Sequence, residues 1–187
     1  MKTIGILGLQ GDFARHAHVV ERLGARAPVI VSPDGIDGID GLIIPGGEST
    51  TIGKLMVDFA LLEPIKQRIS AGMPVFGTCA GMILLAERIT GSNQPRIGVL
   101  DIEVNRNAYG RQVVSFEADV PVSFAGERIH GVFIRAPQIV DLGSAVQVLG
   151  EFEDRPVIVR QQNILACSFH HELTEDTRTH EYYLRMA

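Results

Sequence analysis

Two cysteines, Cys79 and Cys167, are all that this chain of 187 residues contains. That is far too few for a disulfide framework and suits a reducing, cytoplasmic setting. Basic clusters are missing too. The chain has 17 Lys and Arg against 22 Asp and Glu, a net charge of −5, so it lacks the electrostatic footprint of a nucleic-acid binder. No apolar run approaches the roughly 20 residues of a membrane span. The opening apolar run is broken by Gly5, Gly8 and Gln10, too short and interrupted for a signal peptide. No Cys-x-x-Cys or His-Glu-x-x-His spacing occurs, so no metal site is expected, and nothing in the chain calls for a cofactor. Repeats, low-complexity tracts and Pro/Ser-rich linkers are equally lacking. One domain over residues 1–187 is expected, large enough for a substantial core.

The first half alternates strand and helix patterns. Thr3 to Leu9 is a continuous apolar run of the kind buried on both faces of a parallel sheet. Asp12 is placed to cap a helix ending at Gly24, with Phe13, Ala17, Val20 and Leu23 on its inner face. Pro28 to Val31 and Asp40 to Ile44 read as strands. Ser49 or Thr50 can cap a helix facing inward through Ile52, Leu55, Met56 and Phe59, and another helix covers about Leu61 to Ala71. The run Pro74 to Gly77 is a strand, and Ala80 to about Ile89 a helix. Such β-α alternation predicts an α/β fold with a mostly parallel sheet. After Gly91 the chain turns β-rich. Strand patterns cover 97–104, 112–116, 121–124, 128–134, 145–152, 156–161 and 164–169, and a last helix follows Thr174.

Chemistry concentrates at three places. Gly77-Thr78-Cys79-Ala80-Gly81 stands where a strand meets a helix, the thiol counterpart of the Gly-x-Ser-x-Gly nucleophile elbow. Glycines flank the sharp turn, and a helix N-terminus favours a thiolate; the alternative is a buried structural cysteine. An activated cysteine needs a base with an orienting partner. His170 and Glu172, two apart at the end of a predicted strand, share a face while His171 points away; the alternative is a polar surface turn. Gly46-Gly47 also follows a strand and precedes a helix, and can turn backbone N–H groups toward an oxyanion or form an ordinary turn. His16 and His18 are expected on the surface of the first helix, and Cys167 in the core. Gly47 to Lys54 departs from the phosphate-binding loop in spacing and in the Leu55 after the lysine, which counts against nucleotide binding.

Taken together, Pro45-Gly46-Gly47-Glu48, the elbow and His170-x-Glu172 resemble the class I (triad) glutamine amidotransferases. Further runs resemble, within that superfamily, the glutaminase subunits of pyridoxal 5′-phosphate synthase, and the likeness spans essentially the whole chain. These runs are Leu7 to Gln10 with Gly11, Gly47-Glu48-Ser49-Thr50-Thr51, Asn105-Arg106-Asn107-Ala108-Tyr109-Gly110-Arg111-Gln112 and Phe133-Ile134-Arg135-Ala136-Pro137. The resemblance implies a three-layer α/β/α, flavodoxin-like fold. It implies hydrolysis of L-glutamine through a cysteine thioester, with ammonia channelled to a separate synthase subunit that builds pyridoxal phosphate from a pentose phosphate and a triose phosphate. By the same resemblance Cys79 is the nucleophile, His170 the general base and acid, and Glu172 its orienting partner. Gly47 and Ala80 supply the oxyanion hole, and Gly46, Gly47, Glu48, Ser49, Arg106, Ile134 and Arg135 meet glutamine.

The chain departs from the family's usual His-Pro-Glu, reading His170-His171-Glu172. Loss of the proline frees the backbone there and adds a second candidate base. Tyr109 in place of the common phenylalanine is conservative. Two rival readings remain at this level. One is a glutaminase feeding a different acceptor synthase, which the 106–112 and 133–137 runs oppose. The other is a non-catalytic assembly subunit, which the intact Cys79, His170 and Glu172 oppose.

Overall fold

A computed structural model describes residues 1–106 and 115–187. Its centre is a seven-stranded sheet. Strands β1 (Ile4–Leu7), β2 (Val29–Ile30), β3 (Gly41–Ile44) and β4 (Val75–Thr78) come from the first half of the chain. The short strands β5 (Ala86–Ile89) and β6 (Leu100–Asn105) follow, then β7 (Ser115–Pro121), β8 (Arg128–Ile134) and β9 (Gln138–Leu142). Strands β10 (Gln147–Phe152), β11 (Arg155–Gln161) and β12 (Ile164–Cys167) complete the set. The main sheet runs β10-β11-β12-β4-β3-β1-β2. Neighbours from β2 to β12 pair in parallel, whereas β11 and β10 add an antiparallel edge. Read from β2 to β12, the parallel part has the flavodoxin-like order.

Apolar side chains alternate across this sheet, so each strand feeds two cores. Leu7, Leu42, Ile44, Val75, Ile164 and Ala166 face one side, packed on helices α2 (Ser49–Asp58), α3 (Leu62–Ser70) and α4 (Ala80–Leu85) through Ile52, Met56, Ile65, Ile69 and Met82. Ile4, Ile6, Ile43, Phe76, Leu165 and Cys167 face the other, against Val20 of α1 (Phe13–Arg22) and Tyr183 of α5 (Arg178–Met186). The result is the expected α/β/α sandwich. The sheet β5-β6-β9 joins the first core and the hairpin β7-β8 the second. Phe133 of the hairpin packs 5.0 Å from Phe169, and His170 N donates to Val132 O at 2.8 Å. The hairpin thereby pins the chain beyond β12.

Several local expectations are corrected. Glu48, not Ser49 or Thr50, caps α2: its carboxylate accepts from Thr50 N at 3.2 Å and Thr51 N at 2.7 Å. Asp12 stands at the N-cap of α1 but makes no side-chain cap bond; it pairs with Arg15 instead. Phe59 lies outside α2 at its C-cap and is 52 % exposed. Gly53 takes the inner position instead, so close to Pro95 O that a Cβ would meet it at 2.3 Å. Helix α4 stops at Leu85, and Ala86 to Ile89 extends to pair with β6; the short apolar run that ends at Ala86 suits a buried helix and a buried strand equally. The 121–124 pattern forms no strand of its own: β7 ends at Pro121 and Val122 makes an isolated bridge to Gly150. Positions 112–114 of the predicted 112–116 strand lie outside the described residues, as do Asn107 to Gln112 of the 105–112 run. No described helix is long and apolar enough to cross a membrane.

Candidate active site

Four adjacent parallel strands deliver the site at their carboxyl ends, where open α/β sheets bind ligands. Gln10 follows β1, Gly46-Gly47 follows β3, Cys79 follows β4 and His170 follows β12. Cys79 sits at φ 50°, ψ −104°, a strained conformation for a residue with a Cβ and the signature of a nucleophile elbow. The turn is locked on both sides. Cys79 N donates to Cys167 O at 2.8 Å. A Cβ on Gly77 would meet Gly81 O at 2.7 Å, and one on Gly81 would meet Ile44 O at 2.1 Å. Only glycines fit where strand and helix backbones come this close. Ala80 begins α4, where an N–H has no partner within the helix.

His170 Nδ1 lies 2.7 Å from Glu172 Oε1, as alternation along extended chain requires. The carboxylate only accepts, so Nδ1 carries the proton. Burial alone lowers the His170 pKa, but the hydrogen bonds to Cys79 and Glu172 outweigh it and push the value up to about 10. Burial likewise works against the charge on Glu172, yet His16 and His170 hold its pKa well below the ordinary carboxylate value. Because the folded pKa of His170 lies above its ordinary 6.5, its contribution to stability is complete below pH 6.5 and is lost as pH rises through about 10. The difference in unfolding free energy between the unmodified chain and His170→Gln should therefore shrink across that window. Urea titrations at stepped pH read it, and a difference that stays flat contradicts the ion-pair assignment.

Cys79 and His170 open into a cleft of about 540 Å³ lined also by Gly47, Glu48, Ser49, Arg106, Ile134 and Arg135. Six of the seven sequence-predicted substrate contacts thus share one cavity with two of the triad. Gly46 is buried behind it, where a Cβ would stand 2.3 Å from His170 Cε1. Glu172 sits behind His170, its side chain fully buried. Cys79 Sγ is 3.9 Å from Ile134 O. Arg106 Nη1 donates to Thr50 Oγ1 at 2.8 Å and to Gln94 Oε1, which holds its guanidinium at the cleft wall.

His171, the departure from the usual proline, does not line the cleft. It is buried, with Nδ1 3.2 Å from His130 O, and burial lowers its pKa. It is no rival base. Cys167 is core as expected: its thiol donates to Phe169 O at 3.2 Å, and burial, reinforced by the Glu172 charge, raises its pKa well above the ordinary value. Among the described residues, no group of His, Cys, Asp and Glu is arranged to hold a metal ion.

Sequence reasoning missed Gln10, Thr50 and Ile83 in the cleft wall. Gln10 Oε1 accepts from Glu48 N at 2.7 Å, fixing the loop after β3. Its place at the end of a parallel strand was the available signal. The largest correction concerns His16, expected on the surface and fully buried beneath the triad. The buried residues of α1 are His16, Val19 and Val20, and Phe13 and Ala17 of the expected stripe pack beside them, partly buried, against the same core.

The model of the SNO glutamine amidotransferase family matches residues 6–187. The chain belongs to this family. It is 54% identical over 182 residues to "Pyridoxal 5′-phosphate synthase subunit PdxT" of Carboxydothermus hydrogenoformans, covering 97% of this chain and 95% of that one. It is 52% identical over 184 residues to the protein of the same name from Thermosipho africanus, covering 98% of each. A solved structure described as a glutamine amidotransferase superposes with a TM-score of 0.93 at 49% identity, covering 98% of this chain and 97% of that one. The structure of PurLQS from Thermotoga maritima superposes at 0.78 with 16% identity, covering 98% of this chain and 97% of that one, a likeness of fold. In this chain the strands that lead into Gly46-Gly47, Cys79 and His170 lie side by side in one parallel sheet.

Proposed function

We propose that this chain is the glutaminase subunit of a pyridoxal 5′-phosphate synthase, hydrolysing L-glutamine at Cys79 and passing the ammonia to a separate synthase subunit. The observation that carries the reading is the Cys79–His170–Glu172 arrangement, with Cys79 and His170 lining the cleft and Glu172 bonded behind His170, in a chain of the SNO family. The names of the relatives from Carboxydothermus hydrogenoformans and Thermosipho africanus support the choice of acceptor.

Chemistry follows from the geometry. The thiolate of Cys79 attacks the side-chain amide carbon of glutamine, and the carbonyl oxygen takes up the negative charge. N–H groups of Gly47 and Ala80 stabilise that oxyanion; loss of one such donor typically costs about 10²–10³ in rate. The His170 imidazolium protonates the leaving nitrogen and ammonia departs, leaving a thioester. His170, now neutral, takes a proton from water, the hydroxide attacks the thioester carbon, and glutamate leaves as the thiolate returns. Glu172 keeps the imidazole in the tautomer with Nδ1–H and stabilises its charged form. The remaining N–H groups of Arg106 suit the substrate's α-carboxylate, and carbonyl groups around Ile134 suit its α-ammonium. Gly46, Glu48, Ser49 and Arg135 complete the glutamine site.

The chain acts as one domain over residues 1–187, a reading supported by β12 of the second half lying beside β4 of the first. A cytoplasmic setting is supported by its two free cysteines. Free ammonia is wasted unless an acceptor is ready, and the oxyanion loop rests on Gly46-Gly47; activity is therefore expected to rise when the synthase subunit docks. Glutamate release by the purified chain, with and without a pyridoxal phosphate synthase subunit, tests this. Equal rates in the two cases contradict the partner dependence. Failure of a glutamine-analogue electrophile to label Cys79 in the complex contradicts the catalytic reading.

A further inference from the structure

Beneath the triad lies a buried polar chain that the hydrolysis steps do not use. His16 is fully buried on α1. Its Nε2 stands 3.1 Å from Thr78 Oγ1 and 3.5 Å from Glu172 Oε1. Thr78 Oγ1 in turn accepts the backbone N–H of Gly46 at 3.1 Å. On the far side of the ring, Nδ1 meets His180 Nε2 at 3.0 Å. Nε2 faces a carboxylate, which can only accept, so the tautomer that fits this site carries its proton on Nε2.

Resting on the amidotransferase reading above, we propose that His16 is a positioning residue: its Nε2–H holds Glu172 and, through Thr78, ties that carboxylate to the Gly46-Gly47 oxyanion loop. Two observations carry the assignment. First, Glu172 Oε1 is shared between His170 Nδ1 and His16 Nε2, while Oε2 is buried with no protein partner. At 3.5 Å, against 2.7 Å for His170, His16 is the second imidazole facing this carboxylate, and the longer contact steers it toward His170. Second, the Thr78 hydroxyl sits one residue before the nucleophile and touches both His16 and the loop opposite. One imidazole thus couples the base's orienting group to the peptide beside the oxyanion donor. Burial of an unpaired polar network is costly, and burial of a connected one rigidifies its members. The carboxylate, ring and hydroxyl are connected here. His180 backs the ring: burial and the neighbouring His16 and His171 push its pKa well down, so it is uncharged and adds no repulsion.

The contrary case is that His16 merely fills space against the edge of Phe76, 6.3 Å away between ring centres. Two substitutions of similar polarity separate the cases. His16→Gln places its amide nitrogen where Nε2 stood and keeps the donor toward Glu172 and Thr78. His16→Asn reaches only as far as Nδ1 and keeps contact with His180 alone. Glutamate release from L-glutamine is measured in the complex with the synthase subunit. His16→Asn is expected to lower kcat by about ten- to a hundredfold, the size seen where the hydrogen-bonded partner that orients a metal ligand is lost, with KM little changed. His16→Gln is expected to recover most of that loss. Thr78→Val, nearly isosteric, removes the bridge from the other side and should lower kcat without raising KM. Equal kcat for the Gln and Asn variants, or an unaltered kcat in Thr78→Val, overturns the proposal while leaving the amidotransferase reading intact. An unmodified complex that neither releases glutamate nor takes an electrophile on Cys79 overturns that reading and the proposal with it.

Discussion

Replacing Cys79 by alanine is expected to lower glutamine hydrolysis in the complex by about 10⁴-fold or more, the scale at which nucleophile loss leaves only binding and oxyanion stabilisation. Among the described residues, no neighbouring group is placed to take over. His171 is buried away from the cleft and Cys167 is a core thiol with its hydrogen directed to Phe169 O. The fold should be unaffected, because alanine keeps the Cβ and therefore the strain of φ 50°, ψ −104°. A further step to glycine removes that strain and should raise the unfolding free energy by about 1 kcal/mol relative to the alanine variant. Glutamate release, electrophile labelling and urea unfolding of the three forms give the check. Residual activity within tenfold of the unmodified protein contradicts Cys79 as nucleophile. A glycine variant less stable than the alanine one contradicts the strained elbow.

Gly46→Ala is expected to produce the second large effect, and by a different route. Its methyl would stand 2.3 Å from Cε1, 3.0 Å from Nδ1 and 3.2 Å from Nε2 of His170. Gly46 N is tethered to Thr78 Oγ1, so the backbone is held and the imidazole must swing away. That removes the ring from Glu172 and from Cys79 together. A general acid and base contributes about 10²–10⁴ in rate, and kcat/KM should fall by an amount in that range. Loss of the ring's packing should cost no more than about 1–3 kcal/mol of stability. Activity falling far more than stability is the expected pattern. A variant with unaltered kcat/KM means that the ring tolerates the methyl, and contradicts the close approach of the two strand ends.

The three residues of the candidate triad differ in how a linear chain displays them. Cys79 and its glycines declare themselves because steric need acts on adjacent residues: the Cβ atoms that Gly77 and Gly81 lack would strike backbone within a few ångströms. His170 and Glu172 follow from the two-residue period of extended chain, realised as a 2.7 Å bond. The parallel sheet is legible in unbroken apolar runs such as Ile4 to Leu7 and Gly41 to Ile44, buried at every position. The helix that follows Cys79 is less so, since the run from Ala80 to Ile89 suits a helix or a strand and divides into both.

Local pattern therefore determined the α/β class and marked the elbow and the histidine–carboxylate pair as candidates, and the resemblance of several runs pointed to the amidotransferase family. Burial of polar side chains was decided only by the tertiary structure. A histidine on an amphipathic helix looks like a surface residue until its partners are known, and the partners of His16 are 62 and 164 positions away at Thr78 and His180. The loop before α2 is likewise tied over a long distance: Glu48, which caps the helix, donates its backbone N–H to Gln10 Oε1, 38 residues upstream. Hydrogen bonds between residues distant in sequence carry no periodic signature, and the fold alone brings their partners together.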